Sequence, residues 1–131
     1  MTFSKTAAMI GTLSLLLGAS PVLAHAELVS ATPAAGSTAS NVKIVTLTFG
    51  ETLMAPLSGL DIVMTDMPGM KHGAEHPAMK ISGAKVTVGP GGKSLVATLA
   101  RPLQPGSYDV NWRVVGGDNH RITGKVSFTV R

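Results

Sequence analysis

The fold follows from the stretch Ser107-Tyr108-Asp109-Val110-Asn111-Trp112-Arg113-Val114, in which polar and apolar residues alternate without a break. Alternation with a period of two is typical of a β-strand that buries one face. The buried face of this strand would carry the only Tyr and the only Trp of the chain. Two further segments repeat the pattern, one from Val45 to Phe49 and one from Val126 to Val130.

Weaker strand patterns fill most of the remaining chain after the N-terminal region, and no segment there has a convincing helical period. These patterns lie at Glu27–Ala31, Leu60–Thr65, Lys80–Ser82, Lys85–Val88 and Leu95–Leu99. Gly- and Pro-rich turns separate them. Seven or eight short strands predict one all-β domain, an antiparallel sandwich or Greek-key barrel. Its large core members would be Phe49, Tyr108, Trp112 and Phe128.

The N-terminus has the features of a secretory signal peptide. Lys5 precedes a short apolar stretch, Ala7 to Gly18, and a small-residue cleavage site ends at Ala24. The apolar stretch is shorter than the roughly 20 residues that a membrane-spanning helix needs. We therefore expect a cleaved signal at 1–24 and one exported domain at 25–131, without stable membrane insertion. Cleavage after Ala26 also fits the pattern.

Composition narrows the classes of partner. The chain has no cysteine and a formal net charge of +4. Its Lys and Arg residues are scattered and its aromatic residues are few, so nucleic acid is not an expected partner. Without disulfides, an exported domain of this size must be held together by packing, with or without help from a metal.

A run rich in methionine and histidine surrounds the turn Pro68-Gly69. Thioether sulfur is a soft ligand that selects Cu(I), and imidazole binds either oxidation state of copper. Because Pro68-Gly69 interrupts any helix, the spacing of the methionines is not that of a helical core stripe. The alternative is that the methionines fill gaps in the core. It applies above all to Met64, which lies at the end of a strand pattern. The candidate Cu(I) ligands are Met64, Met67, Met70, His72, His76 and Met79.

A second group of donors lies at the two ends of the mature chain. Cleavage after Ala24 would make His25 the first residue, whose free amine and ring nitrogen can chelate one metal. In an extended segment residues i and i+2 point the same way, so Asp118 and His120 can approach one ion together. This set of nitrogen and oxygen donors suits tetragonal Cu(II). The alternative for Asp118 and His120 is an ordinary Gly-flanked turn.

Several motifs together resemble the CopC family of periplasmic copper-resistance proteins, over essentially the whole mature chain. The first is the start, His25-Ala26-Glu27-Leu28-Val29-Ser30. The second is Val63-Met64-Thr65-Asp66-Met67-Pro68-Gly69-Met70. The third is the ending Asp118-Asn119-His120-Arg121-Ile122-Thr123-Gly124.

The resemblance implies an immunoglobulin-like Greek-key fold and a periplasmic carrier of copper with two sites. It implies Cu(II) ligands at His25, Asp118 and His120, with Glu51 in a supporting role, and Cu(I) ligands in the methionine run. The family pattern has one Met-x-His-x-x-Met unit, whereas this chain has Met70-x-His72 followed by His76-x-x-Met79. Either histidine can then serve as the ligand, or both in turn. The implied partners are copper ions, an inner-membrane copper transporter of the CopD type and other periplasmic copper proteins.

Two other classes of function share part of this pattern with the carrier. A copper histidine-brace oxidative enzyme also begins with a metal-binding histidine, but it needs an open coordination position and an aromatic surface for its polymer. The only Tyr and the only Trp are both predicted to face inward. A structural β-sandwich without metal is the other alternative. We expect a carrier and not an enzyme.

Overall fold

The computed structural model describes residues 27–67 and 78–131, and these residues form two packed β-sheets. Two short 3-10 helices, Ala55–Leu57 and Pro90–Gly92, lie between strands. In chain order the described strands are β1 Leu28–Thr32, β2 Thr38–Ala39, β3 Ile44–Phe49, β4 Gly59–Asp66, β5 Met79–Lys80, β6 Lys85–Val88, β7 Ser94–Thr98, β8 Gly106–Val115 and β9 Arg121–Val130.

The all-β prediction is confirmed. The described residues contain nine strands instead of seven or eight, because the two-residue strand β2 adds to the predicted set. The predicted strand Lys80–Ser82 is displaced toward the N-terminus, to Met79–Lys80. Short edge pairings of this kind leave little period-two signal in the sequence.

One sheet has the strand order β1-β3-β7-β6, and the other has the order β2-β9-β8-β4-β5. The pairing is antiparallel except between β2 and β9, which run parallel. Strand β8, which contains the alternating stretch, lies in the middle of the five-stranded sheet between β9 and β4. Its central position explains why its sequence pattern is so regular, since one whole face is buried.

The core lies between the sheets and contains the four predicted aromatic residues. Phe49 and Trp112 meet edge to face with ring centroids 5.0 Å apart, and Tyr108 stacks on Phe128 at 5.7 Å. Trp112 also covers Gly124 on the neighbouring strand, where a Cβ would lie 2.3 Å from the indole ring. Aromatic pairs of this geometry stabilise a core beyond the area they bury.

Tyr108 anchors the connection between the two sheets. Its hydroxyl donates a hydrogen bond to the carbonyl of Gln104 at 2.5 Å, while its ring is almost fully buried. Burial raises the pKa of the Tyr108 phenol, because the charged phenolate is poorly solvated there. The segment between β7 and β8 is thus held against the core.

The register of the strands defines two ends of the sandwich. At one end β4 finishes at Asp66 beside the start of β8, and at the other end β8 runs into the loop Gly116–His120. The eight residue steps from Tyr108 to Gly116 correspond to roughly 25 Å at the usual rise of a strand. Within the part of the chain that the structure describes, no helix has the length and apolarity needed to cross a bilayer.

Candidate metal centres

The loop from Gly116 to His120 joins β8 to β9 and brings the predicted Asp118 and His120 together. The backbone N–H of Asn119 donates to the carbonyl of Gly116 at 3.1 Å, which closes a tight turn. Asn119 has a φ of 62°, a left-handed conformation that Asn tolerates better than most residues. The turn exposes both neighbouring side chains at the end of the sandwich.

Asp118 binds His120 twice. The backbone N–H of His120 donates to Asp118 Oδ1 at 3.1 Å, and the ring Nδ1 lies 2.9 Å from Asp118 Oδ2. The hydrogen bond from that backbone N–H, followed by the bond to the ring, holds the pKa of the Asp118 carboxyl below its usual value. When Nδ1 carries the proton shared with the carboxylate, Nε2 keeps the lone pair that a metal requires.

Glu51 reaches the same loop from the end of β3. Its Oε1 accepts a hydrogen bond from the backbone N–H of Gly117 at 2.8 Å. A Cβ at position 116 would lie 2.9 Å from this oxygen, so the glycine there permits the close approach. The other oxygen, Oε2, is buried and has no hydrogen-bond partner among the described residues. Buried carboxylate oxygens are normally satisfied, so this atom has unused capacity to accept.

The start of the described chain lies at this same end. The backbone N–H of Gly50 donates to the carbonyl of Glu27 at 3.0 Å, and Leu28 pairs with Phe49 at the beginning of β1. Glu27 is therefore adjacent in space to the segment that carries Glu51. The predicted ligand His25 lies outside the described residues.

Three of the predicted methionines meet at the other end of the sandwich. Met64 in β4 pairs with Met79 in β5, so the two side chains share one face of the sheet. Together with Met67 they line a cavity of about 350 Å³. Met64 is 8% exposed and belongs to the hydrophobic core, whereas Met79 is 57% exposed. Met64 is thus a core residue that also lines the cavity, and its role as a Cu(I) ligand stays a prediction.

The remaining members of the predicted Cu(I) set, Met70, His72 and His76, lie outside the described residues. Within residues 27–67 and 78–131, no group of three or more His, Asp or Glu side chains is close enough to hold a metal. The described part of each centre is thus a partial set: a carboxylate and an imidazole at one end, and three thioethers at the other.

The cavity wall contains residues that sequence reasoning missed. The connection after β7 contributes Leu99, Arg101 and Gln104, and Tyr108 closes the cavity from β8. Nothing in the local pattern of this connection marks it as part of a site. Its role depends on the packing of the two sheets, which brings it opposite the methionines.

Comparison with known proteins agrees with this arrangement. The family model described as "CopC domain" matches residues 28–131. Copper resistance protein C of Pseudomonas syringae pv. tomato is 45% identical over 108 residues, which cover 82% of each chain. Copper resistance protein C of Xanthomonas campestris pv. juglandis is 37% identical over 129 residues, which cover 98% of each chain.

A solved structure has the same fold. The selenomethionine crystal structure of PcoC, a copper resistance protein from Escherichia coli, superposes with a TM-score of 0.73 at 40% identity. The match covers 80% of this chain and 99% of PcoC. The fold and the site together define the class of protein: a small β-sandwich with potential metal ligands at both ends. The chain belongs to the CopC family.

Proposed function

We propose that this chain is an exported copper carrier that binds Cu(II) at one end of the sandwich and Cu(I) at the other. Membership of a family whose relatives are named copper resistance proteins supports a role in copper resistance. The observation that carries the proposal is the convergence of Glu51, Asp118 and His120 on one loop, opposite the end where the methionines meet.

The Cu(II) site is proposed to consist of the amine and ring of His25, with Asp118 and His120. The carbonyl of Glu27 lies 3.0 Å from the Gly50 N–H, and two residue steps span at most about 7 Å. A mature chain beginning at His25 therefore starts within reach of this end. Glu51 supports the loop by accepting the hydrogen bond from the Gly117 N–H. Its other oxygen, the buried Oε2, has no hydrogen-bond partner among the described residues.

The Cu(I) site is proposed to use the thioethers of Met64, Met67 and Met79, completed by Met70 and by His72 or His76. Soft, neutral sulfur atoms on a largely apolar wall favour the monovalent ion over Cu(II) and Zn²⁺. Exposed Met79 can exchange ligands with an incoming protein, while buried Met64 keeps its position. Stepwise exchange of this kind suits a carrier better than a closed cage would.

Carriage of copper is favoured over oxidative catalysis by the position of the aromatic residues. Tyr108 is 1% exposed and Trp112 is 8% exposed, so neither forms a flat surface that could hold a polymer. The family setting suggests the periplasm as the location, and an inner-membrane copper transporter of the CopD type or another periplasmic copper protein as the partner.

The proposal is tested by titrating the mature protein, beginning at His25, with Cu(II) and separately with Cu(I). His120→Ala is expected to weaken Cu(II) binding strongly and to leave Cu(I) affinity within about twofold, because the two ends are roughly 25 Å apart. The fluorescence of the single Trp reports binding at the Cu(II) end. An equal loss for both ions in His120→Ala would overturn the two-site carrier.

A further inference from the structure

Three cations lie near the methionine cavity, which Arg101 helps to line, on the side of the four-stranded sheet: Lys43, Lys85 and Arg101. We call this group the basic rim. We propose that the basic rim is a docking surface for an acidic protein that exchanges copper with the methionine cavity. This inference rests on the proposed Cu(I) site for its purpose, but the docking itself does not require copper.

Strand register and one backbone hydrogen bond place Lys43 and Lys85 at the same end of the four-stranded sheet. Ile44 in β3, Thr98 in β7 and Lys85 in β6 are direct partners across three adjacent strands, and all three are exposed. The carbonyl of Lys43 accepts a hydrogen bond from the backbone N–H of Leu99 at 2.8 Å. Arg101 follows two residues later.

The cavity is continuous with this surface. Leu99 and Arg101 line the cavity wall, and so does Ser82, three residues before Lys85. A protein seated on the basic rim would therefore lie beside the cavity that Met79 lines. Docking and ligand exchange would take place on one face.

Within the part of the chain that the structure describes, the cations of the basic rim have no carboxylate partner. Among the described residues, Lys43, Lys85 and Arg101 form no ion pair. On the outer face of the other sheet, by contrast, three cations have carboxylate partners. There Lys80 and Arg113 bind Asp61 at 3.1 and 3.5 Å, and Lys125 lies 3.8 Å from Asp109.

Unpaired cations beside a site for a monovalent cation oppose the binding of the ion through Coulomb repulsion. Their placement is therefore better explained by recognition of another molecule than by copper affinity. The opposite end of the sandwich carries the carboxylates Glu27, Glu51 and Asp118 beside the cations Lys93 and Arg121. An acidic surface would thus be steered toward the methionine end of the molecule and away from the other.

An exposed apolar residue lies within the basic rim. Ile44 is 54% exposed and is flanked in sequence by Lys43 and across the sheet by Thr98 and Lys85. An apolar centre with a charged periphery is the usual anatomy of a protein interface. A partner that exchanges Cu(I) needs soft sulfur ligands of its own, which protein side chains supply and lipid headgroups do not, so we infer an acidic protein and not an anionic membrane as the occupant.

The test uses copper-free mature protein, isotopically labelled for NMR, and a pair of synthetic peptides. One peptide is rich in methionine and aspartate, and its counterpart has lysine in place of each aspartate. At low salt (about 10 mM) the acidic peptide is expected to shift the amide signals of Lys43, Ile44, Lys85 and Arg101, and the lysine peptide is not. Raising the salt to about 0.5 M should remove the effect, because the Debye length then falls to a few ångströms.

The matched variants each lose three positive charges. Lys43→Gln/Lys85→Gln/Arg101→Gln is expected to weaken binding of the acidic peptide about tenfold, since these charges contact the probe. Lys93→Gln/Arg113→Gln/Lys125→Gln removes the same charge elsewhere and should change binding less than about twofold. Cu(I) affinity, measured separately by competition with a chromogenic chelator, should not fall in either variant.

The results separate the inference from the proposed function. Equal shifts with both peptides, or an equal loss in both triple variants, would overturn the docking surface even if Cu(I) binds as proposed. Loss of Cu(I) binding in the unmodified protein would instead overturn the Cu(I) site. Anionic lipid vesicles are tested in parallel by sedimentation, and rim-dependent binding to vesicles without binding to the acidic peptide would contradict a protein partner.

Discussion

Glu51 accepts a hydrogen bond from the backbone N–H of Gly117 at 2.8 Å, so the end of β3 is tied to the loop that carries Asp118 and His120. This bond crosses from one sheet to the other at the end where the described chain begins. It fixes the loop before any metal binds. A ligand pair that is already in place loses less conformational entropy on binding than a mobile pair would.

We expect Glu51→Gln to weaken Cu(II) binding about tenfold, as losses of supporting groups around a metal commonly do. Glutamine keeps an acceptor for the Gly117 N–H, so the metal-free protein should change in stability by less than about 0.5 kcal/mol. Isothermal titration with a competing chelator measures the affinity. Glu27→Gln removes a charge at the same end without touching that bond and serves as the control. Equal losses in both variants would show a general charge effect instead of a specific one.

Replacing Met67 and Met79 together by Leu should lower Cu(I) affinity by at least about tenfold, corresponding to 1.4 kcal/mol. Leucine conserves volume and apolarity, so only the sulfur ligands are lost. Met54→Leu is the matched control, because Met54 is an exposed methionine outside the cavity. Competition with a chromogenic Cu(I) chelator provides the measurement. Unchanged affinity in the double variant would remove the cavity from the Cu(I) site.

Tyr108→Phe tests the anchor between the sheets. At neutral pH the loss of the bond to the Gln104 carbonyl should cost about 1 kcal/mol of unfolding free energy. Because the folded pKa of Tyr108 is raised above 10.0, the neutral phenol stabilises the fold fully below pH 10. That contribution falls as the pH rises from 10 through the folded pKa.

The Phe variant has no phenol to ionise, so its deficit relative to the natural protein should shrink above pH 10. Urea unfolding of both proteins at neutral and alkaline pH makes the comparison. The single Tyr also allows its ionisation to be followed directly by ultraviolet absorption. A deficit that stays constant from pH 7 to beyond the folded pKa would contradict the linkage.

Gly124→Ala should destabilise the domain by about 1–3 kcal/mol, because the new methyl would overlap the Trp112 ring. Gly50→Ala adds a methyl at 3.7 Å from Val29, an ordinary contact, and should change stability by less than about 0.5 kcal/mol. Thermal unfolding followed by Trp fluorescence compares the two. Equal stability of the two variants would show that Trp112 does not cover Gly124.

Much of the fold was predictable because burial of one face leaves a period of two in the sequence. Strand β8 and strand β3 were recognised from Tyr108, Trp112, Val45 and Leu47, all of which are buried. The two-residue strands β2 and β5 were missed or displaced. Their position depends on pairing with β9 and β4, which is a tertiary property.

The candidate sites were predictable to a smaller extent. Asp118 and His120 do lie together, but through a tight turn with Asn119 in the left-handed conformation and not through the extended segment that their i, i+2 spacing suggested. The structure adds the bond from Gly117 to Glu51. Met64, Met67 and Met79 were grouped by sequence proximity, and they do line one cavity. The contribution of Arg101 and Gln104 could not be read from the sequence, because only the packing of the two sheets brings that connection to the cavity.

The central claim, a Cu(II) site built on a free N-terminal His25, is tested most directly by comparing Cu(II) affinity in two proteins. One begins at His25, and the other has a single glycine before it, which converts the amine to an amide. We predict that the glycine weakens Cu(II) binding on the order of a hundredfold or more, about 2.8 kcal/mol, and leaves Cu(I) affinity unchanged. Equal Cu(II) affinity in the two proteins would contradict the account.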